Sequence, residues 1–317
     1  MLTNDRKGLY QSYCQTHTDI PLYLQSWWLD IVAGRDWDFV SITDKTGELL
    51  SLMPYSYAVK FGFTKIKMPK YTQSIGPWIN SDYFVSRNKK YNKREILGKI
   101  FDQLPSYDSI NIALDPIYDD WLPLYWRNYS QTTFYTYHLS LDTNDINLWN
   151  NLQGSARREI NKSRDRYGLE VNNSKCVETF LNLNRMTFTR QGKSLGRQET
   201  ILKNLLNEGL QRDKTKIFTA IDPSGNPHSS VAIFFDSTKA YYIAGGSNPK
   251  LRTSGAATLC LWHAILDASK YYEIFDFEGS MIEAIERFIR TFGASSLPYS
   301  RITATPNRYL RLLQSFR

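Results

Sequence analysis

The sequence predicts a mixed α/β (α+β) fold in two domains, each an open, mostly antiparallel sheet flanked by helices. Three features of the chain require it. At 317 residues it exceeds one average domain. Helical and strand periodicities alternate in both halves, and the second half reads β-α-α-β-β-β-α-β-α-β. Between them lies a polar stretch rich in Asn and Asp, residues 142–151, which reads as a linker and sets the domains at 1–141 and 142–317.

In the first domain the apolar rhythm of 24–33 is helical. Alternation over 38–43 and 49–59, around the turn residues 44–47, predicts a hairpin. A helix follows at 94–104, a strand at 109–114, a short helix at 118–126 and an alternating strand at 133–141. The second domain opens on a basic helix, 155–167, and a strand near 169–172. Two helices, 176–190 and 197–212, precede strands at 216–221, 229–235 and 240–244, the first two joined by the turn Asp222-Pro223-Ser224-Gly225-Asn226. The chain ends with helix 255–268, strand 273–277, helix 281–292, strand 299–304 and helix 306–316. An open α/β sheet of this kind places a ligand at the carboxyl ends of its strands.

Composition excludes several classes of function. A hydrophobic share of 42% excludes disordered, collagenous and coiled-coil chains. No stretch reaches the ~18 apolar residues that span a bilayer, and the polar N-terminus has no signal-peptide core, so the protein is expected in the cytoplasm. Cys14, Cys176 and Cys260 are far apart and odd in number, which supports reduced thiols rather than disulfides or zinc. His17, His138, His228 and His263 stand alone in sequence and fit no metal spacing, so no metal is expected. There is no Gly-x-Ser-x-Gly elbow and no Walker loop.

The net charge of +8 is unevenly placed. Residues 1–140 carry 15 basic and 14 acidic side chains, and residues 141–317 carry 24 and 17. A basic second half suits nucleic acid, an anionic lipid surface or a phosphorylated small molecule, or else is a solvated surface. The segment from Ala240 to Ala257 is the most informative. A strand ends in Gly245-Gly246, a loop carries Lys250 and Arg252, and a helix opens on small residues. Backbone N–H groups there would reach an anion, the helix dipole would favour it, and Arg252 would add a charged contact. As composition alone, the same residues also make an ordinary strand-to-helix turn with Ser254 as N-cap.

Arg252-Thr253-Ser254-Gly255-Ala256-Ala257 resembles the Arg/Gln-x-x-Gly-x-Gly/Ala loop of the GNAT acyltransferases. The wider stretch is similar to the Fem-like branch of that superfamily, the peptidyltransferase and methicillin-resistance-type proteins of the cell envelope, which are tandem GNAT domains. Segments SARREINKSR (155–164), YIAGGS (242–247), DFEGS (276–280) and IERFIRTFG (285–293) carry the likeness over 150–305. QSWWLD (25–30) and YTQSIGPW (71–78) carry it more weakly over the first domain. The resemblance implies an acyltransferase with acetyl-CoA or another acyl-CoA on Gly246 and residues 252–257. The first domain has no such loop and would help form the acceptor cleft. Fem enzymes fed by aminoacyl-tRNA often carry a long helical arm and lack an intact loop. This chain has two ordinary helices between Asn172 and Lys216 and keeps the loop, which favours acyl-CoA and a group other than aminoacyl.

Acyl transfer to an amine needs a neutral amine, a polarised carbonyl and a protonated leaving thiolate. By the resemblance, the fourth and fifth strands splay and a backbone N–H near Ala244–Gly246 polarises the carbonyl. Asp276 and Glu278 stand at the end of the fifth strand, either as base or as caps of the following helix. Tyr242 and Tyr299 are wall residues or proton donors. On the basic helix, Arg158, Lys162 and Arg166 share a face at i, i+4, i+8, either solvated or holding an anionic acceptor. In the Trp-rich stretch, Trp28 suits a core, whereas Asp30 must be solvated or paired; both are kept as acceptor-binding candidates. The reading is an N-acyltransferase for a primary amine on a peptide, amino sugar or cell-envelope precursor. The alternatives are a Fem-type transferase fed by aminoacyl-tRNA, with tRNA as partner, and a non-catalytic binding module. Tandem domains supply internally the pairing that single GNAT domains obtain by dimerising, so a monomer is expected.

Overall fold

The structure, a computed structural model, describes residues 2–81, 93–173 and 175–315. The chain forms two compact units, Met1–Phe134 with Pro298–Arg317, and Tyr135–Leu297. The C-terminal segment thus folds with the first unit, not with the second as the expected division at 141/142 had it, because its strand pairs there.

In the first unit the chain runs through α1 (Leu2–Thr16), α2 (Ser26–Ala33), β1 (Trp37–Thr43), β2 (Leu49–Lys60), β3 (Phe63–Lys67), β4 (Trp78–Ile79), α3 (Lys93–Asp102), β5 (Ser109–Ala113) and α4 (Leu122–Tyr125). The expected hairpin is β1–β2, in register from Trp37 with Ser56. Helix α1 was not expected from its polar sequence. It is held by Tyr10, which is fully buried, donates its hydroxyl to the Leu24 carbonyl at 2.6 Å, and meets the Trp37 and Phe39 rings edge-on at 5.0 and 5.1 Å. The core is built on Met53, Ile110 and Ile112 of the strands and on Ile96, Leu97, Ile100 and Phe101, the apolar stripe of α3.

The second unit takes in most of β6 (Ser130–Ser140), then α5 (Asp145–Asn151), α6 (Gly154–Asp165), β7 (Glu170–Asn173), α7 (Val177–Arg190), α8 (Arg197–Gln211), β8 (Thr215–Ile221), β9 (Pro227–Phe235), β10 (Lys239–Ser247), α9 (Ala256–Ala268), β11 (Ile274–Asp276) and α10 (Glu283–Arg290). The segment read as a linker is helix α5. Its Asn-rich start is an N-cap, since the Asn144 side chain accepts the Asn147 N–H at 2.9 Å. Helix α9 is largely apolar and central: Leu259, Cys260, Leu261 and Ile265 are fully buried against Phe275, Ile233 and Ala240. At about 1.5–3 kcal/mol per buried large apolar side chain, this helix fixes the sheet beneath it.

Each sheet is finished by a strand from the other half of the chain. In the first unit β1-β2-β3-β5 is completed by β12 (Ser295–Ala304), antiparallel to β5. In the second, β7-β8-β9-β10-β11 is completed by β6, antiparallel to β11. The parallel neighbours are β3 with β5 and β10 with β11. The units therefore repeat one strand plan with exchanged last strands. Helix α11 (Arg308–Ser315) follows β12 into the first unit, and the end of the expected helix, residue 316, lies outside the described residues.

Strands β10 and β11 pair over three rungs only, the last being Tyr241 with Asp276. Beyond it β10 continues along β9 to Ser247, with its register shifted between Tyr242 and Ala244 so that Ile243 has no partner. The result is a fork between the carboxyl-terminal parts of two parallel strands.

Candidate active site

The loop after β10 makes one 3-10 turn, Arg252–Ser254, and enters α9 through Gly255, whose φ of 78° and ψ of 7° are left-handed. Glycine is needed there twice over, for the angle and for space, since a Cβ would stand 2.6 Å from the Glu159 carbonyl oxygen and 2.7 Å from Ser163 Oγ. Gly255, not Ser254, is the N-cap of α9. Ser254 is fully buried instead. Its Oγ donates to the Leu251 carbonyl at 2.8 Å and lies 2.9 Å from Nδ1 of buried His228, whose Nε2 is 3.3 Å from Asp222 Oδ2. From the other side Ser163 Oγ donates to the Ser254 carbonyl at 2.7 Å. The loop is thus clamped between α6 and the β8–β9 turn before any ligand arrives.

A cavity of about 270 Å³ opens over this loop. Its floor is the start of α9, Gly255 to Thr258, and its charged rim is Arg252 with Arg190 of α7. Both arginines are exposed, and among the described residues neither has a carboxylate partner. The first N–H groups of a helix have no partner within it, and the dipole makes its start attractive to anions. With two guanidinium groups added, the cavity is suited to a phosphate or diphosphate. Arg190 was not anticipated from the sequence: it lies far from residue 252 along the chain, and only the packing of α7 on β10 brings it there.

At the fork the edge of β10 is held by α7. Asn184 Nδ2 donates to the Gly245 carbonyl at 2.7 Å, and Thr187 Oγ1 accepts the Ser247 N–H at 2.8 Å. Tyr242 points to the α9 side, packed on Gly245. Its hydroxyl has no hydrogen-bond partner among the described residues. Burial, then nearby Cys260, pushes this phenol up to about 12, so it remains protonated.

Asp276 and Glu278 are not equivalent. Asp276 is buried and accepts three hydrogen bonds, from Thr136 Oγ1 at 2.7 Å, His138 Nε2 at 2.9 Å and the Glu278 N–H at 2.9 Å. Burial raises this carboxyl, but the His138 bond and charge, the Thr136 hydroxyl and Lys239 outweigh it and leave the group below the ordinary carboxylate value. With both oxygens engaged, Asp276 is a holder of other groups. It does not cap the next helix, which starts at Glu283. Glu278 is half-buried with a φ of 64°, and Gly279 beside it lies so near β6 that a Cβ would meet the Tyr135 carbonyl at 2.1 Å.

The remaining sequence-predicted residues lie elsewhere. Arg158 and Lys162 lie on α6 and Arg166 is its C-cap; Arg158 and Arg166 are exposed and Lys162 is half-buried, but α6 packs on the loop clamp. Lys162 Nζ is paired with Glu159 at 2.6 Å, and Glu159 itself lines the cavity. Trp28 is fully buried and donates Nε1 to Thr72 Oγ1 at 3.0 Å, so it has no surface to offer an acceptor. Asp30 accepts the Trp37 Nε1–H at 2.9 Å and pairs with Lys7 at 3.6 Å, the partnering its place required. Tyr299 belongs to the first unit, tilted on Phe134 with centroids 5.9 Å apart. Among the described residues no group of three or more His, Cys, Asp or Glu is placed to hold a metal ion, and no helix is long and apolar enough to cross a membrane.

The profile of the acetyltransferase (GNAT) domain family matches residues 150–282, which contain the clamped loop and most of the fork. No curated protein sequence matches the chain. Among solved structures, FemX superposes with a TM-score of 0.72 over 97% of this chain and 98% of its own, at 14% identity. A tandem GNAT protein from the clavulanic acid biosynthesis pathway gives 0.54 over 95% and 94%, at 8% identity. L-PGS from Bacillus licheniformis gives 0.53 over 95% and 92%, at 14% identity. At such identities the likeness is one of fold. Residues 150–282 thus match the acetyltransferase (GNAT) domain family, and the whole chain has the fold seen in FemX and in the tandem GNAT protein.

Proposed function

We propose that the protein is an N-acyltransferase that moves an acyl group from acyl-CoA to a primary amine carried by a peptide, an amino sugar or a cell-envelope precursor. The observation that carries this reading is the cavity on the left-handed Gly255 turn, rimmed by Arg190 and Arg252. It fits the diphosphate of a CoA-type donor. From there the donor's arm would run toward the fork, with its thioester beside β10. The Gly245 N–H lies on the same side of the strand as the Gly245 carbonyl, the side turned from β9, and is our choice for polarising the thioester carbonyl. Tyr242, still protonated, would supply the leaving thiolate with its proton. The first unit is a second GNAT-like domain without a donor loop, and the protein works as a cytoplasmic monomer.

Calorimetric titration with CoA and acetyl-CoA tests the donor. Binding is expected in the wild type and a loss of about tenfold or more in Arg252→Ala, the usual weight of a charge-assisted contact. Absence of binding to the wild type removes the reading. The whole-chain likeness to FemX favours one rival, a Fem-type transferase fed by aminoacyl-tRNA. That rival requires tRNA binding that weakens steeply with salt, and a flat salt response removes it.

A further inference from the structure

We propose that His138 is the proton acceptor for the attacking amine and that Asp276 is its positioning residue. The inference rests on the acylation of an amine at the fork.

Tyr241, Asp276 and His138 occupy one rung across three neighbouring strands: Tyr241 opposes Asp276, and Asp276 opposes His138. It is the last rung before β10 and β11 part. Leu139 and Phe275, the next residues on their strands, are buried in the core under α9. Side chains alternate along a strand, so His138 and Asp276 lie together on the other face. Adjacent strands are about 4.8 Å apart, which sets the His138 backbone roughly 10 Å from β10, on the far side of β11 at the rung where the fork begins.

The carboxylate dictates the state of the imidazole. Asp276 Oδ1 already takes the Thr136 hydroxyl and the Glu278 N–H, and Oδ2 faces His138 Nε2 at 2.9 Å. An ionised carboxylate only accepts, so Nε2 carries the proton, and Nδ1 of the neutral ring presents a lone pair. The His138 side chain retains 18% of its exposure against 3% for Asp276. No partner meets Nδ1 among the described residues. A histidine serving only to tie β6 to β11 would do so equally well buried. Instead one nitrogen is fixed by a buried acid and the other is left free on a partly exposed ring beside β11, the division of labour of a base and its orienting acid. Besides His138 itself, the Lys239 ammonium is a charge acting on Asp276.

In the step, the amine nitrogen attacks the thioester carbonyl, an N–C bond forms and the C–S bond breaks. His138 Nδ1 takes the proton released by the amine, and the thiolate leaves as the thiol with a proton from Tyr242, which solvent replaces. No oxidant, metal or further reactant is needed for balance.

The full chain labelled with ¹⁵N-histidine tests the assignment without turnover. Long-range ¹H–¹⁵N spectra, assigned by loss of signal in His138→Gln, should show the Nε2–H tautomer, and Asp276→Asn should abolish that preference. An Nδ1–H tautomer, or a ring indifferent to Asp276→Asn, overturns the proposal. Release of CoA from acetyl-CoA, with glycinamide as acceptor, adds the kinetic arm from about pH 5 to 9. His138→Gln should lose ~100-fold in kcat/KM together with the acidic limb, and Asp276→Asn should displace that limb. Wild-type rates in His138→Gln, with its limb retained, also overturn it. Calorimetric CoA binding, unchanged in both variants, separates this failure from a failure of the donor reading.

Discussion

The α-carbon of Gly246 rests directly on the backbone of Asn184, so that a methyl group added there would lie 2.2 Å from the Asn184 nitrogen. Its nearest neighbours are all backbone of α7, which cannot swing aside as a side chain would. Gly246→Ala must therefore lift α7 off β10, breaking the Asn184 bond to Gly245 and the Thr187 bond to Ser247. Overpacking costs about 1–3 kcal/mol, and lost buried hydrogen bonds add to it. Urea denaturation should show a loss of at least ~2 kcal/mol. A variant as stable as wild type would mean that α7 is free to move. The sequence pointed to Gly246 as a donor contact; its first duty is to let a helix approach.

Arg190 reaches the cavity over the loop from the last turn of α7 and lines it together with Arg252. Each guanidinium should strengthen CoA binding independently, because each has its own path to the floor of the cavity. Arg190→Ala is expected to weaken CoA by about tenfold at low salt and to lessen the salt dependence of binding. The affinity of dephospho-CoA, compared in the same variant, tells which phosphate Arg190 meets. An unchanged CoA affinity at low salt removes Arg190 from the site.

Tyr242 is a half-buried phenol whose hydroxyl has no partner among the described residues, and its raised pKa makes it a donor rather than a base. Tyr242→Phe removes only the oxygen and leaves the ring packed on Gly245. If the phenol protonates the thiolate, CoA release with glycinamide should slow by ~100-fold while CoA affinity stays the same. An unchanged rate assigns that proton to water and leaves Tyr242 as a wall of the fork.

The residues legible in the sequence were those whose neighbours in the chain are also their neighbours in space. Strand, turn and helix succeed one another from Lys239 to Ala268, so the small residues of the loop could be read directly. The pairing of His138 with Asp276 could not, because 138 residues separate them and an exchanged strand brings them together. Each looked ordinary alone, a lone histidine and a carboxylate at a strand end. Helix α1 was hidden for a related reason: a buried tyrosine and the charged side chains of Arg6 and Lys7, rather than an apolar stripe, fasten it. The supposed linker failed differently, since Asn144 is favourable both in loops and as a cap, and only the N–H of Asn147 decides which.

The Asp276 carboxyl lies below its ordinary value in the folded protein, and this gives stability a definite pH signature. Its unfolded value is about 3.9. A group with a depressed folded value contributes stability that is complete above the unfolded value and disappears as the pH falls through the folded one. The wild type should therefore lose this contribution below about pH 4, as Asp276 protonates and surrenders its three hydrogen-bond donors. Asp276→Asn can still accept from Thr136 and the Glu278 N–H, but it has no charge to protonate. At neutral pH it should be less stable by about 1–3 kcal/mol, the cost of weakening a buried charged network. The gap between the two proteins should then narrow as the pH falls below about 4, because only the wild type has this carboxylate to lose. Melting temperatures of both proteins over that range decide the matter. Curves that remain parallel would show that Asp276 is not held as an anion, and His138 would lose the partner that fixes its tautomer.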